Sequence, residues 1–250
     1  MRSSTLASDR RDAREVASRV DPAKVAAAWE RWVLPCGVEP INRLESLLER
    51  KFSEGQQLGM GPEAEFRAGW SRFLEAIVST RSHRPAIQEA TDPLEIRSLV
   101  ARTQAGGYSA RDLPALADYV KGAPREVRID VAAELLHAGA PDRAGLLTRW
   151  VWNPERGTGI LAEFVAPGPT RFEDIQARLG EIRLELSALG FPSATFASVD
   201  ILLALAYAAR LSEATDRSFQ GGGIESLLPG TLGIASMVLG VRRWVVRADS

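Results

Sequence analysis

The chain has 250 residues, of which 45% are hydrophobic and 25% are charged, and its formal net charge is −1. This length and hydrophobic content suffice for a substantial core, and the composition excludes a wholly disordered chain. The near-neutral charge gives no global electrostatic reason to expect nucleic acid as a partner. One cysteine and two histidines exclude an internal disulfide and leave too few ligands for a Cys/His zinc site.

The N-terminal residues show no targeting signal. Residues 1–8 lack the apolar segment that a signal peptide needs, and acidic residues interrupt the arginines that follow. We therefore predict a disordered tail over residues 1–8 and a cytoplasmic protein. The basic residues are 28 arginines and only 3 lysines, a bias that is typical of GC-rich bacterial genomes.

Apolar residues recur at helical spacing along most of the chain, and period-two alternation is nearly absent. Asp21 and Asp92 each precede a proline, which predicts an N-cap followed by proline in the first helical turn. We also expect a short helix from Pro141 to Val151 and a glycine-rich break over Gly55–Gly61. The pattern predicts an all-α fold, an irregular multi-helix bundle of about ten helices, with almost no residues in strands.

A boundary is predicted at residues 166–170, where the sequence Ala-Pro-Gly-Pro-Thr interrupts the helical pattern. The interpretation is a helical domain over residues 9–165 and a C-terminal helical subdomain over residues 171–250 that packs on it. Within the latter, apolar residues from Phe172 to Leu189 form a helical seam, and Ser198–Ala209 is apolar almost all round, as expected of a buried central helix.

The tripeptide Arg-Trp-Val occurs three times, with its tryptophan at Trp32, Trp150 and Trp244. Each copy falls near an expected helix end, where arginine favours the negative end of the helix dipole and tryptophan anchors packing. We treat these three tryptophans as candidate packing or interaction anchors. Because Trp32, Trp70 and Trp150 lie on apolar stripes, we expect all three to be largely buried.

A helical Glu134-x-x-His137 pair has the spacing found in di-iron helical bundles. Such a site needs a second pair, and the other histidine, His83, has no carboxylate three residues before it. The pattern therefore favours a structural histidine near a helix C-terminus, and we expect neither a metal nor another cofactor.

Cys36 is predicted to lie at a helix C-terminus, which raises the pKa of a thiol, so we interpret it as a small packing residue. Asp130 and Glu134 share one helix face, with Arg125 and Arg128 close by in sequence. We expect ion pairs between these acids and arginines, since such pairs are common at helical spacing.

No catalytic motif stands out, which favours a non-enzymatic helical adaptor, scaffold or assembly factor that acts through contacts with a protein partner. The first alternative is membrane association through residues 186–246, since residues 226–241 carry no charged residue and precede Arg242-Arg243-Trp244. Against it, prolines and glycines interrupt this segment, and Asp200 lies in the apolar stretch that would form the other half of a hairpin. The second alternative is an enzyme whose carboxylates and arginines are scattered in sequence.

Overall fold

The computed structural model describes residues 20–60, 62–166, 168–190, 195–218 and 230–243. Within these ranges the chain is all-α, with isolated bridges but no strand. The predicted tail at residues 1–8 and Trp244 lie outside the described residues. The ten α-helices of the described ranges are α1 Pro22–Ala28, α2 Val38–Met60, α3 Glu63–Ala76, α4 Arg84–Ala90, α5 Pro93–Gln104, α6 Leu113–Leu116, α7 Arg125–Gly139, α8 Phe172–Ala188, α9 Phe196–Ser218 and α10 Thr231–Val238. The all-α prediction is confirmed.

Two helix starts form as the sequence predicts. Asp21 caps α1 by accepting a hydrogen bond from the backbone N–H of Ala23, at 3.0 Å. Asp92 caps α5 by accepting one from the N–H of Leu94, at 2.8 Å. In both cases proline occupies the first helical turn, where its missing N–H has no intrahelical role. These caps fix where both helices begin.

Helix α9 lies at the centre of the bundle, where Val199 and Leu202 are fully buried. It packs against α2, α8 and α10, and it also contacts the π-helical turn Trp29–Val33 that continues α1. The seam of α8 buries Ile175, Leu179 and other apolar residues as its spacing predicts. The buried core includes residues from both sides of residues 166–170, and the division at that point stays a prediction.

The predicted break over Gly55–Gly61 is wrong, because α2 runs through Gly55 and ends at Met60. A Cβ on Gly55 would lie only 2.5 Å from the Cβ of Ala138 on α7. Gly55 therefore permits the close packing of α2 against α7. It does so without interrupting α2.

The predicted helix from Pro141 to Val151 is also wrong, since this segment is irregular although much of it is buried. Some of its backbone N–H groups donate to turn carbonyls, and others donate to side chains. Those of Leu146 and Arg149 donate to the carboxylates of Asp200 and Asp130, at 3.3 and 3.0 Å. Side-chain acceptors thus replace the hydrogen bonds that a buried backbone requires.

Among the described residues, no helix has both the length and the hydrophobicity needed to cross a membrane. Helix α10 has only eight residues. Asp200 on α9, which the hairpin alternative would place in lipid, lies in the protein core and is fully buried.

Candidate functional site

Four ionisable side chains meet in the core, where α2, α7 and α9 pack together. Lys51, Glu134, His137 and Asp200 are each at most 2% exposed. The Nζ of Lys51 lies 2.6 Å from Oε2 of Glu134, and Nε2 of His137 lies 2.7 Å from Oδ2 of Asp200. We refer to these four residues as the buried charge cluster.

The buried charge cluster also binds backbone groups of neighbouring segments. The ammonium of Lys51 donates to the carbonyl of Leu239, just after α10, at 2.7 Å. The Nδ1 of His137 lies 2.6 Å from the carbonyl oxygen of Ala144, at the start of the irregular segment. The cluster therefore holds α10 and the irregular segment against α2 and α7.

Burial and charge act in opposite directions on the titrating groups of this cluster. Burial raises the pKa of Glu134, and the Lys51 ammonium only partly opposes that shift. Burial by itself lowers the pKa of His137, but the Asp200 carboxylate and the carbonyl of Ala144 outweigh it, so the pKa of His137 is raised. The Asp200 carboxylate thus favours the charged form of the histidine.

Although Glu134, His137 and Lys51 are residue types that perform acid–base catalysis, their geometry favours a structural role. Each is engaged by a protein partner, and all are almost completely inaccessible to solvent. Five surface cavities of about 210–390 Å³ form in the described part of the chain, and none of them has a member of the cluster in its wall. A substrate in those cavities would not touch the cluster.

The largest of these five cavities, about 390 Å³, is lined by arginines and lies between the α3–α4 turn and the end of α10. Arg81 and Arg84 line it on the side of the α3–α4 turn, and Arg242 and Arg243 line it on the side of the end of α10. Glu75 contributes the one carboxylate of its wall in the described residues. We call this feature the arginine cavity. Its wall has a large excess of positive charge, on a chain whose overall charge is close to zero.

Two of the four arginines have acidic partners. The Nη1 of Arg84 lies 3.6 Å from Oε1 of Glu75, and Arg243 pairs with Glu54 and also donates to the carbonyl of Arg72. Burial lowers the pKa of Arg243, an effect that the carboxylates of Glu54 and Glu75 oppose. These contacts fix the positions of two guanidinium groups in the cavity wall.

Arg81 and Arg242 differ from those two, because neither side chain has a hydrogen-bond or ion-pair partner among the described residues. Both are exposed and line the same cavity. The Nε of Arg84 is buried and likewise lacks an acceptor within the described ranges. Arg81 and Arg242, which have no acceptor in the described residues, therefore both line this one cavity.

Gly240 brings the two sides of the arginine cavity together. Its φ is +73°, a conformation that favours glycine, and a Cβ there would lie 2.0 Å from the carbonyl oxygen of Ala76. The same Cβ position is 3.2 Å from the Nζ of Lys51. The floor of the arginine cavity thus rests directly on the buried charge cluster.

The tryptophans predicted from sequence have different environments. Trp70 is buried as predicted, at 3% exposure, and stacks between Phe66 and Phe73. Trp32 and Trp150 are only partly buried against the core, so the prediction that all three are largely buried is wrong for these two. Their role as anchors stays a prediction. The structure does not bring them to the arginine cavity.

The two acidic residues for which the sequence predicts ion pairs, Asp130 and Glu134, bind partners that helical spacing does not identify. Asp130 binds the guanidinium group of Arg149 through two hydrogen bonds of 2.9 and 3.0 Å, and Glu134 binds Lys51, so the expected pairs with Arg125 and Arg128 are wrong. Those two arginines bind other acids instead, Glu155 and Asp118.

Cys36 is half-buried, and its thiol donates to the carbonyl of Trp32 at 3.2 Å. Burial raises the pKa of this thiol, in the direction that the sequence predicts, although the sequence attributed it to the helix end. A thiol that stays protonated is a poor nucleophile, which agrees with a packing role.

Sequence reasoning missed Lys51, Arg81 and Arg84 as members of either site. One signal was present for Lys51, a rare lysine that occurs on the apolar stripe between Leu48 and Phe52. For Arg242 the sequence suggests only a place beside a membrane segment. No sequence pattern links these arginines, because the two sides of the cavity are about 160 residues apart in the chain.

The chain matches no protein-family model, no curated protein and no solved structure at a significant level.

Proposed function

We propose that this chain is a non-enzymatic helical adaptor or assembly factor that holds an acidic segment of a partner protein in the arginine cavity. The observation that carries the proposal is the pair Arg81 and Arg242, which line one cavity from two different segments and have no acidic partner in the described residues. Arg31 and Arg125, two exposed arginines outside the cavity, each pair with a carboxylate of the chain itself.

The chemistry of the wall favours binding over catalysis. A guanidinium group is always charged in proteins, so it neither accepts nor releases a proton as a general base or acid does. The carboxylate of Glu75 is engaged by Arg84. Guanidinium groups in such a wall bind carboxylate or phosphate oxygens through paired N–H donors.

The cavity is also open enough and large enough for a side chain of a partner. Its volume of about 390 Å³ falls within the range of roughly 300–1,000 Å³ that ligand sites occupy. Val78 and Met237 add apolar surface beside the arginines. The methylene groups of an acidic side chain would contact this surface while its charged end reaches the guanidinium groups.

Fluorescence anisotropy with a labelled glutamate peptide tests this proposal, with a glutamine peptide of equal length as the uncharged probe. We expect the full chain to bind the glutamate peptide more tightly, and high salt to weaken that binding. Replacing both free arginines, Arg81→Glu with Arg242→Glu, should weaken it by about tenfold or more, equivalent to about 1.4 kcal/mol.

Arg156→Glu is the matched control, since Arg156 is exposed in the 153–158 turn and its side chain has no partner among the described residues. This substitution changes the net charge by the same amount as Arg81→Glu, but Arg156 lies outside the cavity wall. If Arg156→Glu weakens peptide binding as much as Arg81→Glu, the attraction is general and the proposal is wrong.

A further inference from the structure

We infer that the acidic group held in the arginine cavity is a phosphate monoester on a side chain of the partner, an inference that rests on the proposed function. The first argument is the balance of charge. In the cavity wall, Arg84 pairs with Glu75 and Arg243 pairs with Glu54, whereas the positive charges of Arg81 and Arg242 have no acidic partner in the described residues. A phosphate monoester carries about −1.5 to −2 at neutral pH and matches both, whereas one carboxylate matches only one.

The second argument is the direction from which the donors come. Arg81 follows α3 and Arg242 follows α10, so the two guanidinium groups come to the cavity wall from two different segments. A carboxylate is planar, and a single guanidinium fork satisfies both of its oxygens. A phosphate monoester presents three terminal oxygens in different directions, so it can accept from both sides at once.

The third argument concerns the surroundings of the free donors. The buried Nε of Arg84 still lacks an acceptor in the described residues although the Nη1 of this side chain lies near Glu75. The ammonium of Lys51 lies behind the floor at Gly240, but Glu134 neutralises it. The positive charge that would attract a phosphate therefore comes from the arginines of the cavity and not from Lys51.

The shape of the charged surface favours a protein phosphate over a nucleic acid. The four arginines surround one cavity of about 390 Å³, and the chain as a whole is not basic. A nucleic acid requires positive charge spread along a groove or face, to neutralise successive phosphates. One compact group of arginines fits a single phosphate.

Isothermal titration of the full chain with three matched peptides tests this inference. The peptides are identical except at one position, which holds phosphoserine, glutamate or serine. We expect the phosphoserine peptide to bind about tenfold more tightly than the glutamate peptide, and the serine peptide to bind weakest. Arg81→Gln and Arg242→Gln should each remove most of the preference for phosphoserine, whereas Arg156→Gln should retain it.

Competition distinguishes the sources of phosphate. Inorganic phosphate should displace the phosphoserine peptide only weakly, because it lacks the contacts of the peptide; displacement at equal concentration would overturn the inference. Tighter binding of a short oligonucleotide than of the phosphoserine peptide would overturn the inference too.

If the glutamate peptide binds in the cavity as tightly as the phosphoserine peptide, the inference is wrong while the proposed function stands. If neither peptide binds, both are wrong.

Discussion

The Nε2 of His137 lies 2.7 Å from the Oδ2 of Asp200, while its Nδ1 lies 2.6 Å from the carbonyl oxygen of Ala144. Both ring nitrogens thus face acceptors, an arrangement that is satisfied when each nitrogen carries a proton. The two contacts together favour the imidazolium form, in agreement with the raised pKa of the histidine.

We predict that this pairing makes the protein less stable at alkaline pH. The pKa of His137 is higher in the folded chain than in the unfolded chain, where it is about 6.5. Its contribution is therefore fully present below about pH 6.5 and is lost as the pH rises through the folded pKa. Urea unfolding across a pH series measures the effect, and His137→Gln should remove this pH dependence. Equal pH profiles for the two proteins would contradict the prediction.

We predict that removing one partner of the pair formed by Lys51 and Glu134 is more harmful than removing both. Lys51→Met leaves the Glu134 carboxyl buried without its cation, a change that costs about 3–5 kcal/mol. Adding Glu134→Leu should recover much of this loss, since an apolar pair needs no compensating charge. Chemical denaturation of both single variants and the double variant forms the necessary cycle. Additive losses would show that the two side chains are not coupled.

Local chemistry made the helix class and several helix starts predictable. Asp21 and Asp92 cap helices because their oxygens lie near N–H groups two residues away in sequence. The irregular segment was not predictable, since its backbone is satisfied by Asp130 and Asp200, which are distant in the chain. The arginine cavity escaped prediction for the same reason: tertiary packing alone brings Arg81 near Arg242.

We predict opposite effects for alanine at two glycines. Gly240→Ala should destabilise the fold, because its φ is +73° and the added Cβ would lie 2.0 Å from the carbonyl oxygen of Ala76. Gly180→Ala, inside α8, should stabilise it by about 0.5–1 kcal/mol, since nothing lies within 4 Å of the new Cβ and alanine favours helix. Thermal unfolding of the two variants compares them directly. A stable Gly240→Ala variant would show that this tight approach is not required.

We predict that the tryptophans contribute unequally to stability. Trp70 is 3% exposed and stacks on two aromatic rings, so Trp70→Ala should cost about 3–5 kcal/mol. Trp32 is only partly buried, and Trp32→Ala should cost less, about 1–2 kcal/mol. Urea titrations of both variants give the two values. Equal losses would mean that the partial exposure of Trp32 has no energetic consequence.

The most direct test of the central claim, that the arginine cavity binds an acidic group, is to map where that group binds. Two-dimensional NMR spectra of the ¹⁵N-labelled chain, titrated with the phosphoserine peptide and then with the glutamate peptide, locate the contact. We predict that the largest shifts for both peptides occur at Val78, Arg81, Gly240 and Arg242, which line the cavity from its two sides. Shifts concentrated at the exposed turn around Arg156, or at no defined position, would contradict the claim.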